Sequence, residues 1–190
     1  MPPKVKYSRE QIVEAGLEIL RRDGEGALTA RGVAAYLGCS VAPIFSVFEN
    51  MEDLKTAVVS AVKEEYDAYI AEGLKQSLPF KGAGMQYIKF AKEQPNLFRI
   101  LFMSESEKTN IDSYIRLDEN NSKIISALCN SWHVDVATAR ELHSNIFFFT
   151  HGIAVLCATN ACRLTEEEIS GRLTTAFIAL LKMYTAGKYD

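Results

Sequence analysis

The sequence predicts an all-α protein of about nine helices, in which a three-helix head with a helix-turn-helix pattern precedes a larger helical body. Three observations carry this expectation. Apolar residues recur at spacings of three and four along nearly the whole chain, with no convincing strand, repeat or low-complexity segment. Ser, Thr and Asn stand at cap positions ahead of the periodic segments, and Gly or Pro interrupts the chain between several of them. Close to half of the 190 residues are apolar and the net charge is only -3, which is a globular rather than a disordered composition.

The elements follow in order. Ser8 and Gln11 make a capping box for a first helix with the stripe Ile12, Ala15, Leu17, Ile19 and Leu20, ending at Gly24. A second starts near Thr29 and stops at Gly38, a residue that closes helices in the left-handed conformation. Ser40 caps a very short third helix, with Pro43 in the first turn, where a missing N–H is tolerated. Asn50 caps a fourth that runs to about Gln76, with Glu52 and Asp53 suited to its N-terminal dipole. Pro79 breaks the chain, a fifth helix covers about 80–93, and Pro95 opens a compact sixth, PNLFRILFMS. Residues 104–110 read as a polar loop, a seventh helix covers about 112–129, and an eighth, apolar on most faces, about 136–160. Thr165 and Glu168 make a second capping box, and the ninth helix runs to about Ala186.

Several function classes lack residues to carry them. There is no Gly-rich phosphate loop, nucleophile elbow or carboxylate pair at a telling spacing, so no catalytic residue is assigned and an enzyme is not expected. Cys39, Cys129, Cys157 and Cys162 contain no CxxC pair, and His133, His143 and His151 show no metal spacing; the reading is reduced, mostly buried thiols, no metal and no cofactor. The start, MPPKVKYSRE, has no secretory h-region, and the longest apolar run, 146–159, is too short to span a bilayer. A cytoplasmic protein with no membrane partner is expected.

The register of four N-terminal helices resembles the TetR family of bacterial transcriptional regulators. Its Thr-x-Arg-x-hydrophobic-Ala, Gly, aromatic-x-x-Phe and Leu pattern stands here as Thr29, Arg31, Val33, Ala34, Gly38, Phe45, Phe48 and Leu54, without insertion. The phrases EQPNLFRILFM and FFFTHGIAVLCATN are similar to others in the ligand domains of that family. The resemblance implies a DNA-binding domain over residues 1–50 and a helical ligand-binding and dimerisation domain over 51–190. It also implies a double-stranded DNA operator, a small hydrophobic or aromatic effector, a homodimer, and repression as the default. The alternative is a helical ligand- or protein-binding dimer whose head no longer binds DNA.

That alternative arises because GCSVAPIFSVF, the recognition segment, holds no Lys or Arg. On a helix starting at Val41, the residues Ile44, Val47 and Phe48 share the core side and Val41, Ala42, Phe45 and Ser46 the other. Apolar groups can read the thymine methyl in the major groove. The family's usual Tyr is Phe45 here, its usual Lys is Met51, and Pro43 stands where Thr or Ser is common, so phosphate contacts are fewer. The remaining candidates for DNA contact are Lys4 and Lys6 on the arm, Thr29, Arg31 at the family's Arg position, and Ser40.

The middle of the chain offers Met85, Tyr87, Phe90, Phe98, Phe102, Met103, Trp132, Phe148 and His151 for an apolar ligand pocket, or simply for the core. His151, beside Gly152, is either a ligand's hydrogen-bond partner or a satisfied core histidine. The last two helices are apolar on more than one face, which predicts a dimer seam with Ile153, Leu156, Leu173, Phe177 and Leu180.

Overall fold

Each capping signal that opens a helix in the sequence, except that of Ser40, closes a hydrogen bond in the structure, a computed structural model describing residues 7–103 and 120–186. Ser8 and Gln11 form both bonds of a capping box on α1 (Arg9–Asp23). Thr29 Oγ1 accepts from Gly32 N at 3.0 Å to open α2 (Ala30–Leu37), which ends at Gly38 with φ 65 and ψ 38. The short α3 (Ala42–Phe45) follows. Its cap is Val41 and makes no side-chain bond, so the expected Ser40 cap is not formed. Asn50 Oδ1 accepts from Asp53 N at 3.0 Å to start α4 (Met51–Leu74).

Next come α5 (Pro79–Glu93) and α6 (Pro95–Phe102), each with its Pro as the first helical residue, where no N–H is required. Then come α7 (Asn120–Trp132), α8 (Val136–Ala158), capped by Asp135, and α9 (Glu166–Ala186), capped reciprocally by Thr165 and Glu168. Among the described residues there are nine α-helices and no strand, so the fold is all-α. Lys4 and Lys6, the expected 104–110 loop and the expected start of the seventh helix lie outside the described residues.

Two compact units emerge, and α4 is shared between them. The described residues of Met1–Glu65 and Gln94–Ser104 form the first. Its core is Ile12, Leu20, Val33, Ile44, Phe48, Leu54, Leu97 and Phe98. Here α6 packs on α1, with Asn96 Nδ2 donating to the Arg21 carbonyl at 3.0 Å. Arg21 also forks onto Glu65 at 2.8 and 3.0 Å, clamping α1 to α4. The two helices approach closely at Gly16, where a Cβ would sit 2.6 Å from Val58 Cγ2.

The second unit holds the described residues of Tyr66–Glu93 and Glu105–Asp190. Its centre is α8, which packs on α5, α7 and α9. The inner face of α8 supplies Leu142 and Ile146 to a core shared with Leu128 and Phe177, and Ile153 and Leu173 are buried in the same unit. At the turn between α4 and α5 two backbones touch. A Cβ on Gly73 would lie 2.5 Å from the Gly82 carbonyl oxygen, and one on Gly82 would collide with the Gly73 carbonyl. No helix among the described residues is long and apolar enough to cross a membrane.

Candidate functional site

The first candidate surface is built on α2 and α3. A helix of four residues cannot hold itself, so α3 depends on two anchors. Ile44 is fully buried and Phe48, just beyond it, is 1% exposed. Val47, the third expected anchor, is half-buried. The opposite side carries Ala42, Phe45 and Ser46, all exposed, with Val41 half-buried. Phe45 leaves 44% of its surface to solvent. Ser46 donates its hydroxyl proton to the Pro43 carbonyl at 2.7 Å, which leaves the oxygen's lone pairs to accept.

The polar surroundings are sparse. Arg31 is exposed and makes no hydrogen bond or ion pair among the described residues. Ser40 is exposed, while Thr29 is exposed but occupied as the α2 cap. Arg9 is committed elsewhere: it bonds Asp53 at 3.0 Å and lies 4.3 Å over the Phe48 ring. The Arg9 guanidinium and the Glu49 amide hold the Asp53 carboxyl below the usual carboxylate range. Arg21 and Arg22 are paired with Glu65 and Asp23. Acidic residues outnumber basic ones over residues 1–65. Sequence analysis missed Tyr36, which is 50% exposed. It lies with Arg31 and Ala35 on the open side of α2, at spacings that Val33 and Ala34 on the buried side make readable.

The second candidate lies inside the second unit. Tyr87 and Phe90 on α5, Tyr66 and Tyr69 on α4, and Phe147 and His151 on α8 form one aromatic cluster. Tyr66 meets Tyr87 and Phe90 edge-on, with centroids 6.0 and 5.6 Å apart. Tyr69 meets Phe90 at 5.3 Å. Phe147 stacks on His151 at 5.6 Å and 19°. The Tyr87 hydroxyl is 2.8 Å from His151 Nδ1. Burial lowers the His151 pKa and so favours the neutral imidazole, which can accept as well as donate. Of the sequence candidates, this cluster gathers Tyr87, Phe90 and His151. It adds Tyr66, Tyr69 and Phe147; Phe147 was legible as the residue one turn before His151 on the same face.

The other pocket candidates go elsewhere. Phe98 and Phe102 meet at a 40° tilt with centroids 5.1 Å apart within the first unit, and Met103 there is 43% exposed. Trp132 rests against Phe177 at 5.2 Å. Phe148 points off the outer side of α8, 51% exposed. Met85 lines a separate open groove of about 600 Å³ with Lys81, Lys89, Lys92, Glu166 and Ser170.

The residues expected at a dimer seam divide between core and surface. Ile153, Leu173 and Phe177 are 7%, 5% and 8% exposed, because they point into the unit's own core. Leu180 is half-buried against that same core. Only Leu156, at 44%, faces out. It belongs to an outer stripe of α8 with Phe148, Phe149 and Gly152, one or two residues out of phase with Ile153. The corresponding open face of α9 is Gly171, Thr175, Ala179 and Met183. The thiols differ from expectation too: Cys157 is buried, but Cys39, Cys129 and Cys162 are half-buried. Among the described residues no three His, Cys, Asp or Glu side chains gather as a metal site would require. No family model matches the chain, and no curated protein matches it.

Proposed function

We propose that the chain is a dimeric, ligand-responsive regulator of transcription whose α3 enters the major groove of an operator. The observation that carries this reading is the division of α3. One side is sealed into a core by Ile44 and Phe48, and the other offers Ala42, Phe45 and Ser46 to a partner beside the unpaired Arg31. A charge-poor helix of this kind reads thymine methyls and groove shape, so the operator is A·T-rich. The open apolar stripes of α8 and α9 support a two-fold dimer, which matches a palindrome with half-sites about one helical turn apart. The aromatic cluster around Tyr87 and His151 suits a small hydrophobic or aromatic effector with one polar atom. Repression released by that effector is the regulatory sense proposed, with a coupling of about 1–3 kcal/mol between effector and operator.

An anisotropy titration against the DNA upstream of the gene, at two salt concentrations, tests the proposal. Saturable binding with a shallow salt dependence is the expected result, because few phosphate-binding groups remain. Replacing thymine by uracil in the half-site removes only the methyl and weakens binding at one or more positions. Binding that ignores every such exchange sinks the methyl-reading mechanism.

A second reading is favoured by the charge balance. Three of the head's arginines are locked in internal ion pairs and acids outnumber bases over residues 1–65, which suits a protein-docking face. Absence of DNA binding even at low salt selects it.

A further inference from the structure

The C-terminus of α8 folds back on itself. Asn160 takes a positive φ of 55, its N–H donates to the Cys157 carbonyl at 3.1 Å, and the Ala161 N–H donates to the Leu156 carbonyl at 3.0 Å. This is a Schellman closure. The Cys162 N–H then donates to the same Leu156 oxygen at 3.2 Å. That oxygen lies on the same side of its peptide bond as the Cα of Cys157. That hydrogen bond and the covalent lengths beside it hold the two cysteine Cα atoms within about 7.5 Å of each other, a bound that takes in the disulfide range. Disulfides span about 4.4–6.8 Å between Cα atoms. Both thiols are free; Cys157 is buried and Cys162 half-buried. Lys92 reaches in from α5 and donates to the Leu164 carbonyl at 3.1 Å. Burial pushes the Cys157 thiol pKa up, the Lys92 charge pulls it down, and the neighbouring Cys162 pushes it up again.

We propose that Cys157 and Cys162 are a modification site, a dithiol that hydrogen peroxide converts to a reversible disulfide pinning the α8–α9 loop to the last turn of α8. The more exposed Cys162 attacks first, as its thiolate. An S–O bond forms, the O–O bond breaks, and hydroxide leaves to become water, giving the Cys162 sulfenic acid. The Cys157 sulfur then attacks the Cys162 sulfur. The S–S bond forms, the S–O bond breaks, and the departing hydroxide takes the Cys157 proton as a second water. Two thiols are oxidised and one peroxide is reduced to two waters. A small-molecule dithiol reverses the step by exchange.

The test uses the full chain, treated with a slight excess of hydrogen peroxide, alkylated, and digested with trypsin. Cleavage after Arg140 and Arg163 leaves both cysteines in one peptide. The expected peptide carries no alkyl tag and has lost the mass of two hydrogen atoms; dithiothreitol before alkylation restores two tags. A Cys39→Ser/Cys129→Ser chain gives the same result. Two tags after peroxide, added oxygen without the loss of hydrogen, or linkage to Cys39, Cys129 or a second chain overturns the proposal.

Discussion

Ile44 and Phe45 are neighbours in α3, yet replacing each with Ala has different expected consequences. A Phe side chain offers about 150–250 Å² of surface, and Phe45 leaves 44% of its own exposed. Roughly 90 Å² is therefore available to a partner, worth about 2 kcal/mol at about 25 cal/mol per Å². Phe45→Ala should weaken operator binding by about 30-fold per head, while the part of its side chain that packs inward is worth up to about 3 kcal/mol of folding stability by the same measure. Ile44 is fully buried, and its truncation should cost about 2–5 kcal/mol of stability. Anisotropy titrations and urea unfolding, run on both variants in one buffer, separate the two effects. If Phe45→Ala binds the operator like the wild type, or Ile44→Ala loses no stability, then α3 is not divided into a holding side and a reading side.

Three further expectations follow from the second unit. Phe148→Asp with Leu156→Asp should give a folded monomer in sedimentation velocity, whereas Phe177→Asp should unfold the unit; a double variant that stays dimeric removes the α8 stripe from the seam. Gly73→Ala should cost about 1–3 kcal/mol by overpacking, and a chemical-denaturation midpoint unchanged from wild type contradicts the backbone contact. The His151 pKa lies below its ordinary 6.5 because of burial, so the unfolded chain takes up its proton first as pH falls. Stability from this group is intact above about pH 6.5 and declines below it; His151→Gln should flatten that decline, and identical slopes in the two proteins exclude His151 as its source.

The helical frame was legible because its signals are local. Ser8, Thr29, Asn50 and Thr165 cap helices through atoms three residues away, and Gly38 stops α2 by its own conformation. Ser40 misled because a cap needs a backbone turn as well as a hydroxyl, and that turn passes through Val41 instead. The two sides of α3 were likewise written in its spacing. The pocket was less legible, because aromatic residues look alike until tertiary packing assigns them. Phe98 and Phe102 go to the first unit, and Tyr66 and Tyr69 of α4 join His151's neighbourhood. The seam candidates divide between buried and exposed positions for a local reason. On a helix as apolar as α8, composition cannot tell Ile153 from Leu156, although the first is 7% and the second 44% exposed.

The close contacts at Gly16 and at Gly73 with Gly82 constrain the history of this sequence differently. A side chain at position 16 meets the Val58 methyl, so a smaller residue at 58 can accommodate it, and the two positions are free to drift as a pair. A side chain at 73 meets the carbonyl of residue 82, and one at 82 meets the carbonyl of residue 73. Every amino acid carries that carbonyl, so no substitution at the partner position makes room. Relief requires the helices themselves to move apart. Homologous chains should therefore vary together at 16 and 58, while 73 and 82 stay glycine independently of everything around them.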